Sequence, residues 1–171
     1  MKTVHRTPKN PLPSLDELMF LIDQSYNKKA WHGPNLRAAV RGLSAEQAAW
    51  RPGETRHNIW EIVVHCAYWK YIVRRRLLGE KRGSFPFKGS NWFERPIKFT
   101  AAEWRRDVKL LETCHDSMRS AIAQLKPGDI YRIPPGSKVS NLAIVTGIAS
   151  HDVYHAGQIQ LLKRLLDTTP S

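Results

Sequence analysis

Residues 100–125 decide the fold class, and they read TAAEWRRDVKLLETCHDSMRSAIAQL. Six large apolar residues and one histidine recur here at alternating intervals of four and three residues: Trp104, Val108, Leu111, His115, Met118, Ile122 and Leu125. This spacing is an a/d stripe, which is typical of a helix that packs in a bundle. Capping residues from Thr100 to Glu103 predict the start of the helix, and Pro127-Gly128 predicts its end.

Three other long helices are predicted by capping residues and by helical spacing of apolar residues. They are expected to begin at Ser14, Asn58 and Ser137, and to end near Trp31, Gly79 and Leu166. A shorter helical piece is expected over residues 36–50, with a restart at the capping box of Ser44 and Gln47. No stretch shows the strict alternation of a strand, so the sequence predicts an all-α four-helix bundle with a short extra helix.

The predicted helices lie in one domain. Residues 14–171 are expected to form it, and the polar, proline-containing residues 1–13 are expected to be a flexible N-terminal arm. Residues 79–99 form a long connection between helices 2 and 3, without clear periodicity. A connection of about twenty residues exceeds the usual ~4–6, so it is expected to be functional or a long crossover.

The composition is typical of a soluble globular protein. The chain has 171 residues, of which 42% are hydrophobic and 25% charged, and its only cysteines are Cys66 and Cys114. These values exclude a wholly disordered chain and a disulfide scaffold. We find no signal-peptide pattern and no apolar run long enough to cross a membrane, so a cytoplasmic protein with free thiols is expected.

The charge is strongly basic and uneven. The formal net charge is +12, and residues 70–109 contain twelve Lys or Arg and four acids. Three interpretations are open for this region: a solvated face, a surface that attracts a small anionic substrate, or a nucleic-acid surface. No recognised nucleic-acid motif accompanies the charge.

Three histidines are placed where chemistry can use them. His151 and His155 are separated by four residues on the last helix, so they share one face, and His65 lies within the apolar run Ile62-Val-Val-His-Cys-Ala. Three imidazoles with an open fourth position form a known type of zinc site. The alternative is that each is a core histidine with ordinary hydrogen-bond partners.

Two further side chains are candidates for catalysis. Glu61 lies one turn before His65, where it would be a fourth ligand or a general base, although its spacing from Asn58 also predicts a helix cap. Gln158 follows His155 by three residues and would bind water or orient a substrate. Asp152 is offset from this face and is expected to reach a neighbouring helix.

Two stretches resemble the helix motifs of the DinB-like (DinB/YfiT) superfamily. They are residues 57–69, HNIWEIVVHCAYW, and residues 149–159, ASHDVYHAGQI. The resemblance extends over about residues 15–166 and implies a bundle of up-down-down-up topology. It also implies one divalent metal ion, Zn, Ni, Fe or Mn, bound by His65, His151 and His155, and a homodimer.

The resemblance implies two functions between which the residues do not decide. The first is a metal-dependent enzyme of the thiol-transferase or hydrolase type, using a low-molecular-weight thiol or water and a small, anionic substrate. The second is a non-enzymatic stress-response protein with a structural metal, whose basic surface binds nucleic acid or a protein partner. A closed metal shell would favour the second function, and an open position would favour the first.

Overall fold

The computed structural model describes residues 13–81, 83–95 and 99–167. Within these ranges the chain forms six α-helices, one 3₁₀ turn and no strand. The four long helices are α1 (Leu15–Tyr26), α4 (Ile59–Leu78), α5 (Ala101–Ala123) and α6 (Asn141–Asp167). The short ones are α2 (Leu36–Val40) and α3 (Ala45–Ala49). The predicted all-α class is confirmed, whereas the up-down-down-up order stays a prediction. Residues 1–12 of the predicted N-terminal arm lie outside the described ranges.

Most helix starts follow the caps that the sequence predicts. Ser14 Oγ accepts from the Glu17 N–H in a capping box, and Ser44 forms the same box with Gln47. Gly79 ends α4 in the left-handed region, with a φ of 67°. These contacts satisfy backbone groups that a helix end leaves without partners.

Two predicted boundaries are wrong. Helix α1 ends at Tyr26 rather than near Trp31, and the Asn35 amide then donates to the Lys28 carbonyl, which shapes a turn before α2. Helix α6 begins at Asn141 rather than at Ser137. The reason is tertiary, because the Asn141 side chain donates to the Asp129 carbonyl at 2.9 Å and closes the preceding loop.

The apolar core consists of two clusters along the bundle. One contains residues of α2, α3, the first halves of α4 and α5, and the last part of α6. The other contains residues of α1, the last parts of α4 and α5, and the first part of α6. Helix α4 packs most extensively against α5, and α6 packs against α1, α2 and α4. Between the clusters lies a buried polar layer formed by His65 and Lys70 of α4, His115 of α5, and Asp152 and His155 of α6.

An ion pair crosses this polar layer. Lys70 Nζ binds Asp152 Oδ2, and neither side chain is more than 1% exposed. Lys70 Nζ also lies 4.9 Å from the centre of the Tyr26 ring, which stacks on His115 at 3.5 Å. Asp152 therefore reaches a neighbouring helix, as its offset from the histidine face predicts.

Candidate metal centre

The three histidines selected from the sequence meet in the middle of the bundle. Helix α4 carries His65, and α6 carries His151 and His155 one turn apart. Nε2 of His151 lies 3.0 Å from Nε2 of His65 and 3.2 Å from Nε2 of His155. The three form one of the groups whose ligand atoms lie within 4.8 Å of one another. The structure thus brings together residues that are 86 positions apart in the chain.

The opposite ring nitrogens fix the orientation of two of these imidazoles. His65 Nδ1 donates to the main-chain carbonyl oxygen of Asn91 at 2.8 Å, and His155 Nδ1 donates to Gln158 Oε1 at 2.7 Å. A neutral imidazole that donates from Nδ1 has a lone pair on Nε2. Both Nε2 lone pairs therefore point toward His151. Such outer hydrogen bonds are typical of histidines that bind metals.

The three converging Nε2 atoms have one proton too few for hydrogen bonds between all of them. His151 Nε2 can donate to only one of the two facing lone pairs, so one close contact brings acceptors together. Protonation would be costly, because burial lowers the pKa of His65, lowers that of His151 to about 3 and lowers that of His155 to about 4. A cation at the centre of the three nitrogens satisfies all the lone pairs at once.

The spacing and the donor set fit a divalent ion. Tetrahedral coordination with metal–nitrogen bonds of about 2.0–2.1 Å separates the nitrogens by about 3.3 Å, close to the 3.0 and 3.2 Å observed. A second group of Cys66, His151 and Asp152 is also compact. It is the poorer donor set, because burial raises the pKa of the Cys66 thiol and Asp152 already binds Lys70.

The long connection between α4 and α5 covers the site. Trp92 stacks on His65 with ring centres 3.9 Å apart, and on its other side stacks on His57 at 3.7 Å. Asn91 adopts a left-handed φ of 68°, and its side chain accepts a hydrogen bond from Trp69 Nε1 at 2.9 Å. The expectation of a functional connection thus has a structural basis. Sequence reasoning missed Asn91 because a main-chain carbonyl carries no residue-type signal.

Glu61 lies apart from the three histidines. Its backbone N–H donates to Asn58 Oδ1, as a helix cap requires, but its carboxylate binds Arg51 and lies 2.9 Å from His57 Nδ1. Burial raises the pKa of this carboxyl, yet the hydrogen bonds from Arg51 and His57 outweigh burial and hold it below its usual value. Glu61 is ionised and held in place, and its catalytic role stays a prediction.

Gln158 lies beside the site and bridges two residues of its own helix. Its Oε1 accepts from His155, and its Nε2 donates to the Tyr154 hydroxyl at 3.0 Å. The amide therefore holds a histidine rather than contacting the centre of the three nitrogens. A direct role in catalysis likewise stays a prediction.

The basic region of residues 70–109 is not one solvated face. Lys70 is buried, Arg74 binds Glu80, and Arg95 binds Asp107 at 2.7 Å while lying over the Phe87 ring. A share of its charge therefore serves internal ion pairs, which the count of basic residues did not reveal. Among the described residues, no helix combines the length and apolar character needed to span a membrane.

Comparison with known proteins places the chain in a family. A sequence model of the DinB superfamily matches residues 30–159, which include all three histidines and most of the bundle. No curated protein and no solved structure matches the chain. The match covers well over half of the sequence and agrees with the all-helical fold and the buried histidine cluster. The chain belongs to the DinB superfamily.

Proposed function

We propose that the protein is a metal-dependent enzyme of the thiol-transferase or hydrolase type, with one divalent ion bound by His65, His151 and His155. The observation that carries this proposal is that three Nε2 atoms converge and have too few N–H protons to donate a hydrogen bond to every facing lone pair. Three protein ligands leave a coordination position for water or substrate, which is the pattern of catalytic rather than structural zinc sites.

The ion would lower the pKa of a water or thiol in that position and so supply a nucleophile at neutral pH. The chain's own residues have a supporting role. Asn91 and Gln158 hold the Nδ1 protons of His65 and His155, so that both Nε2 atoms remain free to bind. Trp92 covers one face of His65 and keeps water from that side of the ring.

The net charge of the chain supports an anionic thiol or substrate. The chain carries +12, and a basic protein attracts small anions by long-range electrostatics. A low-molecular-weight thiol with carboxylate groups would benefit from this attraction. The same ion supports hydrolysis of an ester or amide when water rather than a thiol is bound.

The first test is metal content. Untagged protein is analysed by inductively coupled plasma mass spectrometry beside a His65→Ala, His151→Ala double variant and a His32→Ala control, since His32 is exposed. We expect about one equivalent of metal in the wild type and control, and almost none in the double variant. Failure of the wild type to bind Zn, Ni, Fe or Mn after reconstitution would refute the metal site.

The second test is activity. Metal-loaded protein is assayed with an electrophilic chlorodinitrobenzene substrate and a panel of small thiols, and in parallel with nitrophenyl esters. We expect turnover in one of the two assays that is lost in the double variant and kept in the His32→Ala control. Metal binding without turnover in either assay, together with a closed coordination shell by X-ray absorption, would favour the non-enzymatic alternative.

A further inference from the structure

A second candidate site lies away from the histidines. A groove of about 1260 Å³ lies between the segment that follows α1, helix α2, the turn before α3 and the first part of α5. None of His65, His151 or His155 lines it. Apolar residues such as Val40, Leu43 and Val108 also line it. The groove is larger than an inorganic anion needs, so it suits an extended or composite ligand.

The groove is strongly basic. Six cationic residues line it: Lys28, Lys29, Arg37, Arg41, Arg105 and Lys109. Among the described residues only two acids line it, Glu46 and Glu112. Glu112 is already bound by Arg37 at 3.2 Å and by Lys109 at 3.3 Å.

Several of the cations are available to a ligand. Lys29, Arg41 and Arg105 form no ion pair with any residue that the structure describes, and all three are exposed. They come from three different elements: the segment after α1, the turn after α2, and α5. Charges from three sides of one groove can contact successive anionic groups along a chain.

An exposed aromatic ring stands beside this charge. Trp31 is 99% exposed. It does not line the groove itself, but it follows Ala30 and precedes Gly33 by two positions in the chain, and both of those residues line the groove. Its ring makes no ring contact with the described residues, so both faces are open. Trp31 is almost fully exposed and so packs against no part of the described fold, which leaves its ring available to a ligand.

We infer that this groove binds single-stranded nucleic acid, with phosphates along Lys29, Arg41 and Arg105 and a base stacked on Trp31. A basic groove that follows the backbone, with an aromatic platform for the bases, is how single strands are bound without sequence preference. A second copy of the chain does not fit, because each copy carries +12 and would present the same basic groove. An acidic peptide satisfies the cations but leaves the tryptophan without a flat partner.

The experiment is fluorescence anisotropy with a labelled 12-nucleotide thymidine strand and an abasic strand of the same length. Four variants of the full chain are compared with the wild type. Lys29→Glu, Arg105→Glu removes charge from the groove. Lys126→Glu, Lys138→Glu makes the same change in net charge at exposed sites outside it. Trp31→Ala removes the stacking platform, and Trp31→Phe keeps an aromatic ring.

We expect the groove variant to bind at least tenfold more weakly and the control pair less than threefold more weakly. Three phosphate contacts predict a slope of log affinity against log salt of about −2, and the groove variant, which loses two of them, should have a slope smaller by about 1.4. Trp31→Ala should weaken binding about 5- to 150-fold without changing the slope. Treatment with a chelator should change nothing, which separates this proposal from the metal site.

Four results would overturn the inference. Equal losses in the groove and control variants would show only general attraction to a basic protein. Equal affinity for the abasic strand, or no effect of Trp31→Ala, would exclude base stacking. Displacement of the thymidine strand by polyglutamate of equal charge at equal concentration would identify the groove as an acidic-peptide site instead.

Discussion

The main-chain carbonyl oxygen of Asn91 lies 2.8 Å from Nδ1 of His65 and sets which nitrogen of that imidazole is free. Asn91 presents this carbonyl from a left-handed conformation, with a φ of 68°, which asparagine tolerates better than most residues. The connection between α4 and α5 thereby determines the tautomer of a histidine on the bundle helix beneath it.

Substitution of Asn91 should separate backbone from side-chain effects. Asn91→Val disfavours a positive φ and would move the carbonyl away from His65, so we expect metal affinity to fall about 10- to 100-fold. Asn91→Gly accepts the same φ and loses only the contact with Trp69, so a smaller loss is expected. Competition with a chromophoric chelator measures both. Equal affinities for the two variants would contradict the carbonyl's role.

Gln158 should act on metal affinity through His155. Gln158→Leu leaves the Nδ1 proton of His155 without its 2.7 Å acceptor, and we expect affinity to fall about 10- to 100-fold. Gln158→Glu retains an acceptor and should restore most of the affinity. Tyr154→Phe is the matched control, because it removes only the outer hydroxyl. If Gln158→Glu keeps the metal but abolishes turnover, Gln158 also contacts the substrate.

Glu61 should matter for stability more than for metal binding. Glu61→Gln weakens its bonds to Arg51 and His57, and we expect a loss of about 1–3 kcal/mol in the free energy of unfolding. Metal affinity should change less than about threefold. Urea unfolding and chelator competition test the two expectations. A large loss of affinity with unchanged stability would make Glu61 a ligand instead.

Substitutions of the buried pair Lys70 and Asp152 should have strongly non-additive effects on the free energy of unfolding. Lys70→Met leaves Asp152 without its cation in a site that excludes water, so we expect a loss of about 3–5 kcal/mol. Burial raises the pKa of Asp152, and Lys70 opposes this effect. The double variant Lys70→Met, Asp152→Leu should be more stable than Lys70→Met alone. Losses that simply add in urea unfolding would argue against the pair.

The metal-free protein should lose stability as the pH falls from about 6.5 to 4. Burial lowers the pKa of His151 to about 3, of His155 to about 4 and of His115 to about 2. In the unfolded chain histidines bind protons below about pH 6.5. The unfolded state therefore binds more protons than the folded state in this pH range. The three histidines contribute their full share to the free energy of unfolding only above about pH 6.5, and this share is lost as the pH falls.

Each of these histidines contributes up to about 1.4 kcal/mol per pH unit. Urea unfolding in the presence of a chelator at pH 7.5, 6.0 and 5.0 measures the total slope. His115→Leu removes one titrating group that is not a proposed ligand, so the variant should show a shallower slope. Parallel pH profiles for wild type and variant would contradict the expectation.

Local signals in the sequence were sufficient to predict the long helices and to select the candidate metal ligands. The a/d stripe from Trp104 to Leu125 and the caps at Ser14, Ser44 and Thr100 predict elements that the structure confirms. The four-residue spacing of His151 and His155 places both on one face without tertiary information. Such features depend on neighbours within about one helical turn, and so the sequence alone determined them.

Long-range packing decided the rest. The approach of His65 to His151, the carbonyl of Asn91 at His65 and the burial of Lys70 against Asp152 join residues between 26 and 86 positions apart. From the sequence, Lys70 is one of the twelve basic residues of 70–109, and Glu61 is either a helix-cap residue or a residue facing the metal. The packed bundle decides that Lys70 is buried and that the Glu61 carboxylate binds Arg51 and His57. Both outcomes depend on how packing excludes water and on partners from other parts of the chain.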